Sequence, residues 1–124
     1  MSGPLRGVVV GHATLPAAMV AAVEEITGVT DALVAVSNAG CDRASLEARV
    51  REALAGTPAI LFVDLPCGSC FVAAMQAVAS LEGVRVVTGV NLTMLLDFVF
   101  HREATLAEAA ARAGEIGAKA IADR

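Results

Sequence analysis

Tryptophan and tyrosine are absent from this chain, and only four phenylalanines occur in its 124 residues. The aromatic platforms that stack nucleobases are therefore missing. Basic charge is short as well: nine Lys and Arg stand against thirteen Asp and Glu, a net charge of −4 at pH 7, and no basic patch is visible. Both absences exclude nucleic acid as a partner. Cysteine is scarce: three residues are an odd number, which suits a reducing compartment better than a disulfide framework. No Gly-x-Gly-x-x-Gly or Walker sequence is present, so a nucleotide site has no support. No basic segment followed by a long apolar one opens the chain, so no signal peptide is expected and the location is read as cytoplasmic. Long apolar runs are lacking too. The longest nearly uncharged stretch, residues 57–81, is interrupted by Asp64, Pro66 and Gly68, which makes a poor spanning helix.

What remains is an aliphatic composition. Hydrophobic residues reach 56%, so a core of Ala, Val, Leu and Ile is readily built, and the length suits one domain over residues 1–124. Short apolar runs alternate with longer helical patterns. Strands are predicted at 5–10, 32–36, 59–63 and 84–88. Helices are predicted at 15–26, 42–54, 69–81, 91–100 and 105–122. Their caps are legible: Thr14 with Pro16 in the first turn, Asp42, Asn91, and Thr105 with Glu108 as a capping box, while Gly28 and Gly56 close helices and Gly83 stops another. Strands apolar on both faces and separated by helices imply a parallel sheet covered on both sides. The expected fold is a single three-layer α/β/α domain with a mainly parallel four-stranded sheet.

Four groups of residues carry chemistry. The first apolar run ends in Gly11-His12 and the third in Asp64. If these strands are neighbours, imidazole and carboxylate meet at the carboxyl edge of the sheet, where open α/β sheets bind ligands. The second histidine, His101, lies near a helix end, where the dipole accounts for it. The loop Asp64-Leu65-Pro66-Cys67-Gly68-Ser69-Cys70 leads into a helix whose first N–H groups, with the Ser69 hydroxyl, can hold an anion such as phosphate. The blander reading has Asp64 ending a strand and Ser69 capping a helix, which leaves their convergence with His12 unexplained. Cys67 and Cys70 form a C-x-x-C at a helix start, the setting used by thiol oxidoreductases, where the helix terminus favours thiolate. Beyond that pair only Cys41 and two histidines could serve as soft ligands, so no metal is expected. Asn91, after the fourth strand, is a candidate cap and cleft residue.

These pieces together resemble the enzyme IIA component of the mannose family of the bacterial sugar phosphotransferase system. The resemblance covers nearly the whole chain and rests on Val10-Gly11-His12, Asp64-Leu65-x-x-Gly68-Ser69 and Gly89-Val90-Asn91-Leu92-x-Met94-Leu95. It implies a phosphotransferase that takes a phosphoryl group onto His12 from the histidine-containing phosphocarrier protein and passes it to a IIB component. Contact with the membrane would come only indirectly, through a IIC/IID permease. Asp64 would correspond to the aspartate that bonds the ring and Ser69 to the serine at the helix start beside the phosphate; the helix terminus itself adds Gly68 and Cys70 as candidate phosphate-binding residues. A homodimer is implied, and the apolar Leu95, Phe98, Val99 and Ile121 are expected to be incompletely covered by a small sheet. No cofactor is required, because the phosphoryl donor is another protein. The chain departs from the family pattern at Ala13 and Cys67, each in place of a glycine, and at Cys70, in place of a proline. Family members often carry a further C-terminal strand exchanged in the dimer; four strands are expected here. Two alternatives stand beside this reading: a regulatory module whose phosphorylation state is read by another protein, and a thiol–disulfide oxidoreductase acting through Cys67 and Cys70.

Overall fold

The computed structural model describes residues 3–124. Four strands, β1 (Arg6–Gly11), β2 (Leu33–Ser37), β3 (Ala59–Val63) and β4 (Val84–Thr88), alternate with α1 (Leu15–Thr27), α2 (Arg43–Leu54), α3 (Gly68–Val78) and α4 (Leu92–Phe98), and α5 (Leu106–Lys119) follows. The sheet is wholly parallel in the order β2-β1-β3-β4, and its helices lie on both faces, the expected three-layer architecture. Val10 of β1 stands opposite Val63 of β3, so the residues that follow these two central strands emerge side by side.

Side-chain alternation along the strands divides the core. Val9, Ile60 and Phe62 face one way and pack with Val23 of α1, Met94, Leu95 and Phe98 of α4, and Ala109 and Ala113 of α5. Val8, Val10, Leu61 and Val63 face the other way, onto Leu46, Val50 and Leu54 of α2 and onto Cys70, Ala73, Ala74 and Ala77 of α3. With few aromatics available, one edge-to-face pair, Phe62 and Phe98 with centroids 5.0 Å apart, anchors the first half. Small alanines let α3 approach the sheet closely in the second.

Several boundaries differ from those expected, mostly for one reason. Helices α3, α4 and α5 end at Val78, Phe98 and Lys119, short of Leu81, Phe100 and Ala122, because their last turns tighten into i→i−3 bonds. These include Leu81 N–H to Val78 O, His101 N–H to Phe98 O and Ile121 N–H to Ala118 O. Helix α2 is closed by Ala55 in the left-handed region at φ 53°, one residue before the expected Gly56. Leu95, Phe98 and Val99 are buried within the single chain, which removes them from the argument for a dimer; α4 and α5 cover what the small sheet does not. Ile121 remains 81% exposed.

Candidate functional site at the carboxyl edge of the sheet

β1 and β3 deliver His12 and Asp64 to the same point. His12 Nδ1 lies 2.7 Å from Asp64 Oδ2, and the His12 backbone N–H donates to the same oxygen at 3.1 Å. The bond between ring and carboxylate assigns the proton to Nδ1 and leaves the lone pair on Nε2. Nε2 makes no hydrogen bond to protein among the described residues, and the ring is 39% exposed while the Asp64 side chain is only 9% exposed. The ring nitrogen that is free to react therefore belongs to an accessible ring whose other nitrogen is held from below. Gly11 makes the approach feasible: a β-carbon there would sit 3.0 Å from Asp64 Oδ2 and 3.1 Å from its Cγ.

The turn carrying His12 is braced from the next strand. The Ser37 hydroxyl donates to Ala13 O at 2.6 Å, and Asn38 Oδ1 accepts from Ala13 N–H at 3.1 Å. Arg49 donates to the carbonyls of Ser37 and Ala39, which steadies the bracing loop. These bonds hold Ala13 at φ 55°, a left-handed conformation that glycine adopts without strain. Sequence reasoning did not pick out Ser37 and Asn38. The available signal was positional, since they end β2 just as His12 and Asp64 follow β1 and β3.

Thr14 occupies the N-cap position of α1 but makes no side-chain cap bond, its backbone being helical already at φ −89° and ψ 0°. Leu15 N–H instead donates to His12 O, and Pro16 has no N–H to offer. α3 is different. Its N-cap is Cys67, extended at φ −156° and without a side-chain cap bond, so the first-turn N–H groups of Gly68, Ser69 and Cys70 have no side chain closing them off. Ser69 lies within the first turn and does not cap. Cys67, which stands in place of a glycine, needs no positive φ, because the left-handed conformation falls on Gly68 at φ 89°.

Cys70 turns its sulfur inward. It is fully buried, with Sγ 3.7 Å from His12 Nδ1. Burial pushes its thiol up to about 11, and the Asp64 carboxylate pushes the same way. The expected thiolate at the helix start is thus reversed for Cys70, since desolvation outweighs the helix terminus. Cys67 is exposed, and all three cysteines are free thiols. Asn91 caps α4 by accepting from Met94 N–H, and its Nδ2 donates to Gly117 O at 3.0 Å. Its amide ties α4 to α5, and no hydrogen bond links it to His12 or Asp64. His101 sits at the end of α4, with Nδ1 2.8 Å from Asp97 O, as its helix-end placement implied.

At the site the His12 ring reaches solvent while Asp64 lies beneath it. A groove of about 450 Å³ beside β2, lined by Arg6, Val36, Ser37, Arg49 and Glu52 among others, does not include His12 or Asp64. No helix among the described residues is long and apolar enough to cross a membrane.

A wholly parallel α/β domain that sets a histidine–aspartate pair beside an open helix N-terminus has the features of an anion-binding sheet edge. Comparison with known families makes this specific: the family model of the PTS system fructose IIA component matches residues 7–114, and the chain belongs to that family. The family ties it to the sugar phosphotransferase system and to phosphoryl transfer. Solved structures agree on the fold. The mannose/sorbose-specific IIA subunit from Enterococcus faecalis superposes with a TM-score of 0.86 at 22% identity, covering 98% of this chain and 96% of that one. Phosphotransferase system component EIIA from Streptococcus agalactiae gives 0.82 at 19% identity over 96% of each chain. The PTS IIA protein associated with the fucose utilization operon of Streptococcus pneumoniae gives 0.74 at 21%, covering 99% of this chain and 96% of that one. No curated protein matches the sequence.

Proposed function

We propose that this protein is a phosphocarrier that accepts a phosphoryl group on His12 Nε2 from the histidine-containing phosphocarrier protein and passes it to a IIB component. The observation that carries the reading is the 2.7 Å bond between His12 Nδ1 and Asp64 Oδ2. It fixes the tautomer whose Nε2 lone pair can attack phosphorus in line. The N–P bond of the donor breaks as the new one forms on Nε2. The Nδ1 proton stays in place, and the carboxylate offsets the positive charge that develops on the ring. N–H groups at the start of α3 and the Ser69 hydroxyl receive the phosphoryl oxygens.

An acceptor ring that is 39% exposed is within reach of a donor that is itself a protein. Leu15 and Leu65, close after His12 and Asp64 in sequence, are 44% and 48% exposed and offer apolar contact to such a partner. The protein would act in the cytoplasm, reach the membrane only through a permease of the IIC/IID type, and form a homodimer. Exposed Phe100 and Ile121 support the dimer, and a monomer mass by light scattering at micromolar concentration would refute it. The buried, protonated Cys70 disfavours the thiol oxidoreductase alternative.

The test is incubation with purified, labelled phosphocarrier protein. Acid-labile, base-stable label should appear on this chain and be lost in His12→Ala, while His101→Ala keeps it. Asp64→Asn should slow uptake by about ten- to a hundredfold, the effect of losing a charge-assisted bond of about 1.5–3 kcal/mol. Normal labelling of His12→Ala would move the acceptor elsewhere.

A further inference from the structure

The fold gathers a third donor beside the histidine–aspartate pair. His12 Nδ1, an Asp64 carboxylate oxygen and Cys70 Sγ lie within 4.8 Å of one another, brought together across sequence separations of 52 and 58 residues. Sequence reasoning set a metal aside because it looked for the cysteines as a local pair, whereas only one of them turns toward His12. A second observation shows that the carboxylate has unused bonding capacity. Asp64 Oδ1 is buried without any hydrogen-bond partner among the described residues, on a side chain that is only 9% exposed. A carboxylate oxygen in that position ordinarily finds a donor, a water or an ion.

We propose that His12 Nδ1, Asp64 and Cys70 Sγ form a binding site for Zn²⁺ or a similar borderline-soft divalent ion, and that metal binding and phosphorylation of His12 exclude each other. The donor set decides the class of ion. One imidazole nitrogen, one carboxylate oxygen and one sulfur suit zinc and disfavour magnesium and calcium, which take oxygen ligands. Three protein ligands also leave a fourth position, which the half-exposed ring opens to solvent. Tetrahedral zinc sets such donors about 3.4–3.6 Å apart, given bonds of about 2.0–2.3 Å. Sulfur and Nδ1 already stand 3.7 Å apart, and the 2.7 Å contact between Nδ1 and Oδ2 would need to open by about 0.7 Å.

The exclusion follows from the ring. With Asp64 on Nδ1–H, the lone pair sits on Nε2. With a metal on Nδ1, the neutral imidazole must carry its proton on Nε2, which can no longer attack phosphorus. Binding moves the ring proton from Nδ1 to Nε2 and sends the Cys70 thiol proton to solvent, while the metal takes the Nδ1 lone pair and the thiolate. Cys70 is what distinguishes this site from one with the proline of the family pattern, which would offer no sulfur.

The experiment uses the full chain under a non-thiol reductant, with Co²⁺ as a spectroscopic stand-in for Zn²⁺. A thiolate-to-cobalt charge-transfer band should saturate at one ion per chain and be displaced by Zn²⁺. It should persist in Cys41→Ser/Cys67→Ser, which keeps Cys70 and its packing, and vanish in Cys70→Ser, with Zn²⁺ affinity falling more than about tenfold. No band in the unsubstituted protein, its loss in the double variant, or its survival in Cys70→Ser would each overturn the site. The exclusion rests on the reading of His12 as acceptor and has its own arm. Saturating Zn²⁺ should suppress label uptake from isolated phosphorylated carrier by more than about tenfold, with recovery on chelation. Undiminished uptake in the presence of bound metal would overturn the exclusion. Absence of uptake in metal-free protein would sink the phosphocarrier reading and leave the cobalt result standing.

Discussion

Replacing Gly11 by alanine tests the geometry of the site without touching either chemical group. The added methyl would lie 3.0 Å from Asp64 Oδ2, 3.1 Å from Cγ and 3.3 Å from Cβ. Carbon contacts settle at about 3.5–4.0 Å, so the carboxylate must retreat by roughly half an ångström. It has little room, since its side chain is 9% exposed and its Oδ2 is fixed by bonds of 2.7 and 3.1 Å to His12. A retreat of that size stretches the ring bond to about 3.2 Å, the limit of a useful hydrogen bond. Overpacking costs about 1–3 kcal/mol and the charge-assisted bond is worth about 1.5–3 kcal/mol; the two overlap, because yielding at the bond relieves the crowding. The expected loss of stability is about 1–2 kcal/mol by urea denaturation. Phosphoryl uptake should slow by about ten- to a hundredfold if the lost bond appears in the barrier. Gly114→Ala is the control: nothing lies near its added methyl, so it should leave the rate alone and stabilise α5 by up to about 1 kcal/mol. A Gly11→Ala protein with unchanged stability would refute the crowding argument. One that is destabilised but transfers at the normal rate would refute the orienting role of Asp64.

Further outcomes follow from other features. Ala13→Gly should raise stability by about 0.5–1 kcal/mol, because relief of the left-handed conformation at φ 55° exceeds the extra chain entropy of glycine in the unfolded state; an unchanged or lower Tm would count against it. At pH 8 the exposed Cys67 should alkylate promptly, and Cys70, buried and raised to about 11, should have a thiolate fraction of about one in a thousand and react only after unfolding. Equal labelling of both by mass spectrometry would contradict its burial. Asp97 accepts from Arg112 at 2.8 Å through both carboxylate oxygens, which holds its carboxyl below the usual range. A lowered folded pKa stabilises above the unfolded value and is lost as pH falls through the folded one. Asp97→Asn should therefore be less stable than the unsubstituted protein near neutral pH, with the gap closing in acid and narrowing in high salt; a constant gap across that range would remove the ion pair from the account.

The amino-acid sequence by itself determined the order of elements and the class of fold, because apolar strands and capped helices report local physics. Ala59–Val63 and Val84–Thr88 match their predicted spans residue for residue, being short apolar runs bounded by turn residues. Asp42 and Asn91 cap as expected, since a cap bond spans only three residues. Thr105 also caps, while Glu108 meets the Thr105 hydroxyl at 2.7 Å in place of the backbone N–H of a full capping box. The pairing of His12 with Asp64 was legible only on the assumption that β1 and β3 are neighbours, a matter of strand order that local pattern does not encode. The rest was settled by packing in three dimensions. Three helices ended two or three residues early because the last carbonyls took i→i−3 partners. Ser37 and Asn38 became braces because β2 lies beside β1. Leu95, Phe98 and Val99 were covered because α4 and α5 close over one face of the sheet. Above all, the two cysteines of one local motif were sent to different environments: Cys67 precedes the first turn of α3 and stays in solvent, while Cys70, three residues on, rotates beneath the helix to meet His12. Local spacing gave these two thiols one chemistry, and burial against the sheet gave them two.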